Sequence, residues 1–200
     1  MIKTLYFIVC CLFLQNNYAQ NWDIDLLKNI NPTHPNSNVW RTFSSTAEPI
    51  SVAVPVSLFA VALLNKDDHL KSQSIEVLGS VAIAAVATEA LKIIINRQRP
   101  YQKYPLDIFP YDGSENGHSF PSAHTSLSFA TATSLALIYK KWYVTVPAFV
   151  WAGCVGYSRL YLGEHYPSDV IAGAVVGTAS AYAAHWLNKK FFSKKKIHYP

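Results

Sequence analysis

Three clusters of polar residues stand at the borders of apolar stretches, and their types suit acid–base and anion chemistry. In the segment from Ser158 and Arg159 to Glu164-His165-Tyr166-Pro167-Ser168-Asp169, a histidine precedes a carboxylate by four residues. A carboxylate there can accept a hydrogen bond from one imidazole nitrogen and leave the other as a lone pair. That suits a nucleophile and its orienter. In Ser119-Phe120-Pro121-Ser122-Ala123-His124, Ser122 precedes an apolar run as a helix N-cap does. Backbone N–H groups at a helix start bind anions, the helix dipole adds to this, and His124 can exchange a proton near neutral pH. The third cluster is Lys92…Arg99-Pro100, where proline disfavours helix at Arg99 and turns the chain out. Arginine offers phosphate a planar fork and lysine a compact charge. Lys92, Arg99, Arg159, a helix start and two histidines on one face describe an anion site. Phosphoryl transfer needs little else: positioning, neutralised oxygens, an in-line nucleophile and an acid for the leaving group.

Five mostly apolar stretches must position these residues, over 49–64, 75–95, 123–139, 144–157 and 170–187. Each is about as long as a short membrane-spanning helix, for which ~20 residues is typical, and several fall at or below the lower bound of about 17. Half of the 200 residues are hydrophobic and only 14% are charged. Mean hydropathy is +0.12, apolar for a soluble chain and mild for a membrane protein. Small residues such as Ala172-Gly173-Ala174 and Gly177 let helices pack closely. The expectation is an all-α bundle of about five core helices, membrane-spanning, over 48–188.

A positive start at Lys3, an apolar run over 4–14 and a small residue at Ala19 read as a signal peptide over 1–19. Asn17 fits the cleavage pattern poorly, so an uncleaved anchor is the alternative. With the leader removed only Cys154 remains, which excludes an intrachain disulfide and a cysteine metal site. Residues 20–47 are polar and read as an exposed lead-in with one short amphipathic turn around Ile24–Ile30; 189–200 form a basic tail.

If all five stretches span, Asn65–Lys71, Lys140-Lys141 and the lysines after Leu187 share one side by parity, and positive loops favour the cytoplasm. The polar clusters then face outward, as a cleaved leader also requires. The net charge of +5 fits an anionic lipid surface and an anionic substrate, and nucleic acid is not an expected partner.

Taken singly, each residue has an ordinary reading: Lys92 snorkelling, Arg99 in a loop, Ser122 a plain cap, Arg159 and Asp169 a surface pair. Together, in order and on one side, they do not. His69, His185 and His198 are read as solvated, His118 as loop, and Glu164 as a loop cap.

The chain resembles the type 2 phosphatidic acid phosphatase and vanadium haloperoxidase superfamily, from about Glu48 to Leu187. The family motifs Lys-x6-Arg-Pro, Pro-Ser-Gly-His and Ser-Arg-x5-His-x3-Asp are met by Lys92…Arg99-Pro100, Pro121-Ser122-Ala123-His124 and Ser158-Arg159…His165…Asp169. The one departure is Ala123 in place of glycine, which keeps the backbone N–H and adds a methyl group. The resemblance implies a transiently phosphorylated His165, oriented by Asp169, with His124 protonating the leaving oxygen. It implies that Lys92, Arg99, Ser122, Ala123 and Arg159 hold the phosphoryl group, with no metal and no cofactor. The expected substrate is a lipid phosphate or diphosphate reached from the periplasmic side of a bacterial inner membrane. A soluble periplasmic acid phosphatase is the alternative, and vanadate-dependent halide oxidation and a non-catalytic phospholipid-binding role stand further off.

Overall fold

The computed structural model describes residues 16–113 and 117–192. The expected signal peptide lies outside the described residues up to position 15, as do Lys194–Lys196 of the basic tail. The described residues form α1 (Asn16–Ile30), α2 (Asn38–Leu64), α3 (Asp68–Ile95), the short α4 (Pro100–Lys103), α5 (Ala123–Tyr139), α6 (Trp142–Tyr161) and α7 (Pro167–Phe192). The all-α expectation holds.

Pairs along the helices fix their directions. At one end Ser122 N–H donates to the Asp169 carbonyl (3.1 Å), joining the starts of α5 and α7. At that same end Arg159, late in α6, reaches Ser44, early in α2. At the other end Ser72 meets Asn188 and Glu76 meets His185, so α3 runs antiparallel to α7. The connections between α2 and α3 and between α5 and α6 therefore lie at one end, and all three polar clusters at the other.

Small residues bring the helices together. Buried positions on α5 are Thr125, Ser126, Ser128, Ala130, Thr131, Ala132, Thr133 and Ser134, a seam with no bulky side chain. Across from it, a Cβ on Gly173 would lie 2.7 Å from the Ser122 carbonyl oxygen, and one on Gly177 would lie 2.2 Å from that of Ser126. Backbone meets backbone there, the close approach that small residues permit. Hydroxyls on such a seam need partners: Ser134 donates to Ser80 of α3 (2.7 Å), and Thr131 donates back to the Leu127 carbonyl (3.0 Å).

Among the described residues, three helices are long and apolar enough to cross a membrane: Asn38–Leu64, Asp68–Lys103 with α4 counted in, and Pro167–Phe191. Their outer faces expose Leu64, Val86, Ile93, Ile94 and Val175, a surface suited to hydrocarbon. α5 and α6 lie outside that group, and α5 has only 17 residues.

The polar lead-in departs from its expectation. Residues 20–47 hold most of α1 and the start of α2 rather than an exposed segment with one short turn. Ile24 and Leu27, three apart on α1, pack in a core with Ile108, Leu160 and Tyr166. Asn31 then ties the end of α1 to two loops, donating to the carbonyls of Phe109 (2.9 Å) and Tyr161 (2.8 Å) and accepting from Phe109 N–H (2.8 Å).

Candidate active site

His165 sits between α6 and α7 and is 2% exposed. Its backbone N–H donates to the Arg159 carbonyl (3.3 Å), so the turn that ends α6 sets the ring's position. Nδ1 faces Asp169 Oδ2 at 3.5 Å, and Nε2 faces an Arg99 guanidinium nitrogen at 3.5 Å. Two cations near a buried ring disfavour imidazolium. The His165 pKa is lowered to about 4, chiefly by burial, with Arg159 and Arg99 adding to it and Asp169 opposing. Nε2 thus carries a lone pair at neutral pH.

Asp169 is fully buried in the first turn of α7. Its Oδ2 accepts from Tyr166 N–H (3.0 Å), and its Oδ1 accepts from Arg97 (2.6 Å). Arg99 is buried too, donating to the Gly117 carbonyl (3.3 Å) and to the carbonyl of Glu164 (3.2 Å), whose carboxylate lies at 3.4 Å. Arg159 donates to Ser44 Oγ (2.5 Å). Ser122 caps α5, its oxygen accepting from Thr125 N–H (3.5 Å) and Thr125 Oγ1 (3.0 Å). Ala123 opens the helix, half-buried, so its methyl group finds room. His124 shares with Arg159 and Glu164 the wall of a cavity of about 540 Å³, which Arg41, Thr42, Ser45, Tyr111 and Asp112 also line.

The structure thus brings His165, Asp169, Arg99, Arg159, Ser122, Ala123 and His124 to one end of the bundle. Lys92 is the exception in contact, since among the described residues its Nζ pairs with Glu89 one turn back (3.2 Å) and with no member of the three clusters. Two readings are corrected. Glu164 is no loop cap but a buried carboxylate (3% exposed) against Arg99, because the guanidinium needs a counter-charge there. His185 is not solvated: Glu76 accepts it at 2.7 Å between α3 and α7. Asp169 pairs with Arg97 and not with Arg159, which α6 directs toward α2.

Arg97, Asp23, Ser44 and Glu164 are members of this site that motif reasoning passed over. For Arg97 the signal was a second arginine two residues before Arg99. For Asp23 it was an acid beside the apolar positions 24 and 27.

Comparison with known proteins gives the family. The model of the PAP2 superfamily matches residues 73–193, more than half of the chain. The chain belongs to the PAP2 superfamily. Among curated relatives, the lipid A 4'-phosphatase of Bacteroides thetaiotaomicron is 30% identical over 188 residues, covering 88% of this chain and 81% of the relative. The undecaprenyl-diphosphatase of Sulfolobus acidocaldarius is 30% identical over 193 residues, covering 89% and 88%. Among solved structures, a transmembrane PAP2-type phosphatidylglycerolphosphate phosphatase from Bacillus subtilis shares the fold with a TM-score of 0.70 at 20% identity, over 98% of this chain and 96% of that one. LpxE of Aquifex aeolicus does so with a TM-score of 0.66 at 24% identity, over 82% and 95%. This PAP2 chain is a phosphatase with helical membrane spans, not a soluble acid phosphatase.

Proposed function

We propose that this PAP2 phosphatase hydrolyses a lipid phosphate or diphosphate through a phosphohistidine on His165. The observation that carries the reading is a buried His165, with Asp169 behind Nδ1 and the cation Arg99 before Nε2. In the first step the Nε2 lone pair forms a bond to phosphorus, and the bond to the lipid oxygen breaks. That oxygen takes a proton from His124, which lines the same cavity as Arg159. In the second step a water oxygen attacks phosphorus, the P–N bond breaks, and His124 takes the water's proton. Arg99, Arg159, Ser122 and the Ala123 backbone N–H would neutralise the equatorial oxygens. Lys92 joins them by exchanging Glu89 for phosphate.

The cavity favours a headgroup over a bare phosphate. About 540 Å³ lined by Arg41, Thr42, Ser45 and Tyr111 exceeds what one phosphoryl group fills. The Arg41 guanidinium lies 4.1 Å from the centre of the Tyr111 ring, a polar wall for a sugar or a second phosphate. The named activities of the two curated relatives fit such substrates.

The site faces the periplasm of a bacterial inner membrane in this reading. Lys66, Lys71, Lys140, Lys141, Lys189 and Lys190 gather at the far end of the bundle, and lysine-rich ends favour the cytoplasm. The deciding experiment is phosphate release by detergent-purified protein across a panel of phosphatidate, phosphatidylglycerophosphate, undecaprenyl diphosphate and lipid A, with and without chelator. Release from one or more lipids that survives chelation supports the reading; a strict divalent-metal requirement or release from soluble esters alone overturns it.

A further inference from the structure

The chain of contacts behind His165 does not stop at the carboxylate of Asp169. One Arg97 nitrogen donates to Asp169 Oδ1 (2.6 Å) and to Ser168 Oγ (2.6 Å), and the other donates to Asp23 Oδ2 (2.7 Å). The guanidinium plane is held 3.8 Å from the centre of the Tyr166 ring. Asp23 is 3% exposed and serves two partners. Its Oδ1 accepts from Ser168 N–H (2.8 Å) at the first turn of α7, and its Oδ2 also bonds Ser168 Oγ. A carboxylate from α1 therefore caps the helix that carries Asp169, a place where negative charge is favoured.

We propose that Asp23 and Arg97 are positioning residues for the reaction: Arg97 holds Asp169 in register with His165, and Asp23 holds both Arg97 and the start of α7. This role rests on His165 being the nucleophile. α1 then belongs to the working site, although none of its residues touches substrate. The geometry favours this over simple anchoring of α1. Ile24, Leu27 and Asn31 already fasten α1 through apolar packing and three hydrogen bonds. A charged pair added for anchoring alone would bring a desolvation cost and need no contact with Asp169. A planar fork spanning two carboxylates instead sets distances, which a point charge cannot do.

The charges make opposite predictions for the two residues. Arg97 lies between two anions, and its charge is shared. With Arg97→Gln, the Asp169 charge acts on His165 uncompensated, so the imidazole holds its proton to higher pH. With Asp23→Asn, Arg97 serves Asp169 alone, and the imidazole releases its proton at lower pH. The other groups facing His165 stay in place in both variants: Arg99 at the start of α4, Arg159 on α6, and Glu164 and Tyr166 beside it.

The test is the pH dependence of kcat and kcat/KM for the full-length protein in detergent, with dioctanoyl phosphatidate as substrate. Arg97→Gln is expected to lower kcat roughly tenfold or more, as small misplacements of reacting groups do. KM should stay within about twofold, and Arg97→Lys should recover part of the loss, as expected when charge without the fork is restored. The acid limb should move up by roughly half a unit in Arg97→Gln and down in Asp23→Asn. Limbs that move together, or kcat and limbs that stay at wild-type values beside an inactive His165→Ala, overturn the positioning role and leave the phosphatase reading intact. Activity retained by His165→Ala sinks both. Should Arg97→Gln not fold, Asp23→Asn decides alone: a lowered limb supports the role and an unchanged one overturns it.

Discussion

At each end of the bundle a histidine meets a buried carboxylate, and only one of these pairs is built for chemistry. At the far end, Glu76 receives His185 at 2.7 Å and Asn188 at 2.6 Å, and Asn188 in turn accepts from Ser72 (2.9 Å). Both carboxylate oxygens are engaged, no arginine lies among these partners, and the adjoining cavity of about 150 Å³ is lined mainly by Ile75, Ile83, Leu187 and Phe191. At the site end, the His165–Asp169 contact is longer at 3.5 Å, yet it is ringed by Arg97, Arg99 and Arg159 beside a large polar cavity. A histidine–carboxylate pair is therefore weak evidence of function by itself. The surrounding cations and the helix start at Ser122 make the difference.

Substitution at the two histidines breaks the comparison most sharply. His165→Ala is expected to lower phosphate release roughly 10³–10⁶-fold, the range for loss of a nucleophile, measured by single-turnover and steady-state assays. The pH profile sharpens it further. Burial lowers the His165 pKa to about 4, so the ring stays neutral and competent down to that pH. As pH falls through about 4 the lone pair is lost, and the acid limb of kcat/KM should lie there and not near an ordinary histidine value of about 6.5.

Gly177→Ala tests the seam between the two ends, because its Cβ would meet the Ser126 carbonyl oxygen at 2.2 Å and Ala130 N at 2.8 Å. A stability loss of about 1–3 kcal/mol is expected, read by thermal unfolding in detergent. The smallest effect on turnover belongs to the far end. His185→Gln should leave activity within about twofold while lowering stability by about 1–3 kcal/mol, since the buried Glu76 loses its imidazole partner. A tenfold loss of turnover there would erase the contrast between the ends.

Much of this site was legible because it is written in local spacing. Ser122 before an apolar run, Arg99 before proline and Asp169 one turn after His165 each follow from short-range rules. The small residues at 173 and 177 likewise announced close helix packing. What stayed hidden depends on pairing between distant segments. Nothing near Asp23 states that Arg97, 74 residues away, will come to it, and Ser44 gives no hint of Arg159, 115 residues on. The polar composition of 20–47 argued for an exposed lead-in, because many polar side chains there make contacts that only the folded bundle reveals. Lys92 shows the reverse case. Its motif position was plain, while its partner in this structure is Glu89.

The backbone contact at Gly173 and Gly177 also fixes how the two halves of the site are indexed. Sliding α7 along α5 by a single residue would drive Ala174 or Thr178 into the space these glycines leave beside the Ser122 and Ser126 carbonyls. The alignment of the phosphate-binding helix start with Asp169 is therefore a toothed joint, set by the seam and independent of loop length. An epitope or reporter inserted at Lys140 and Lys141, at the opposite end from that joint, is expected to leave the site intact. A functional enzyme can thus carry its own topology marker, and the side of the membrane on which that marker appears reads out the orientation of the working molecule.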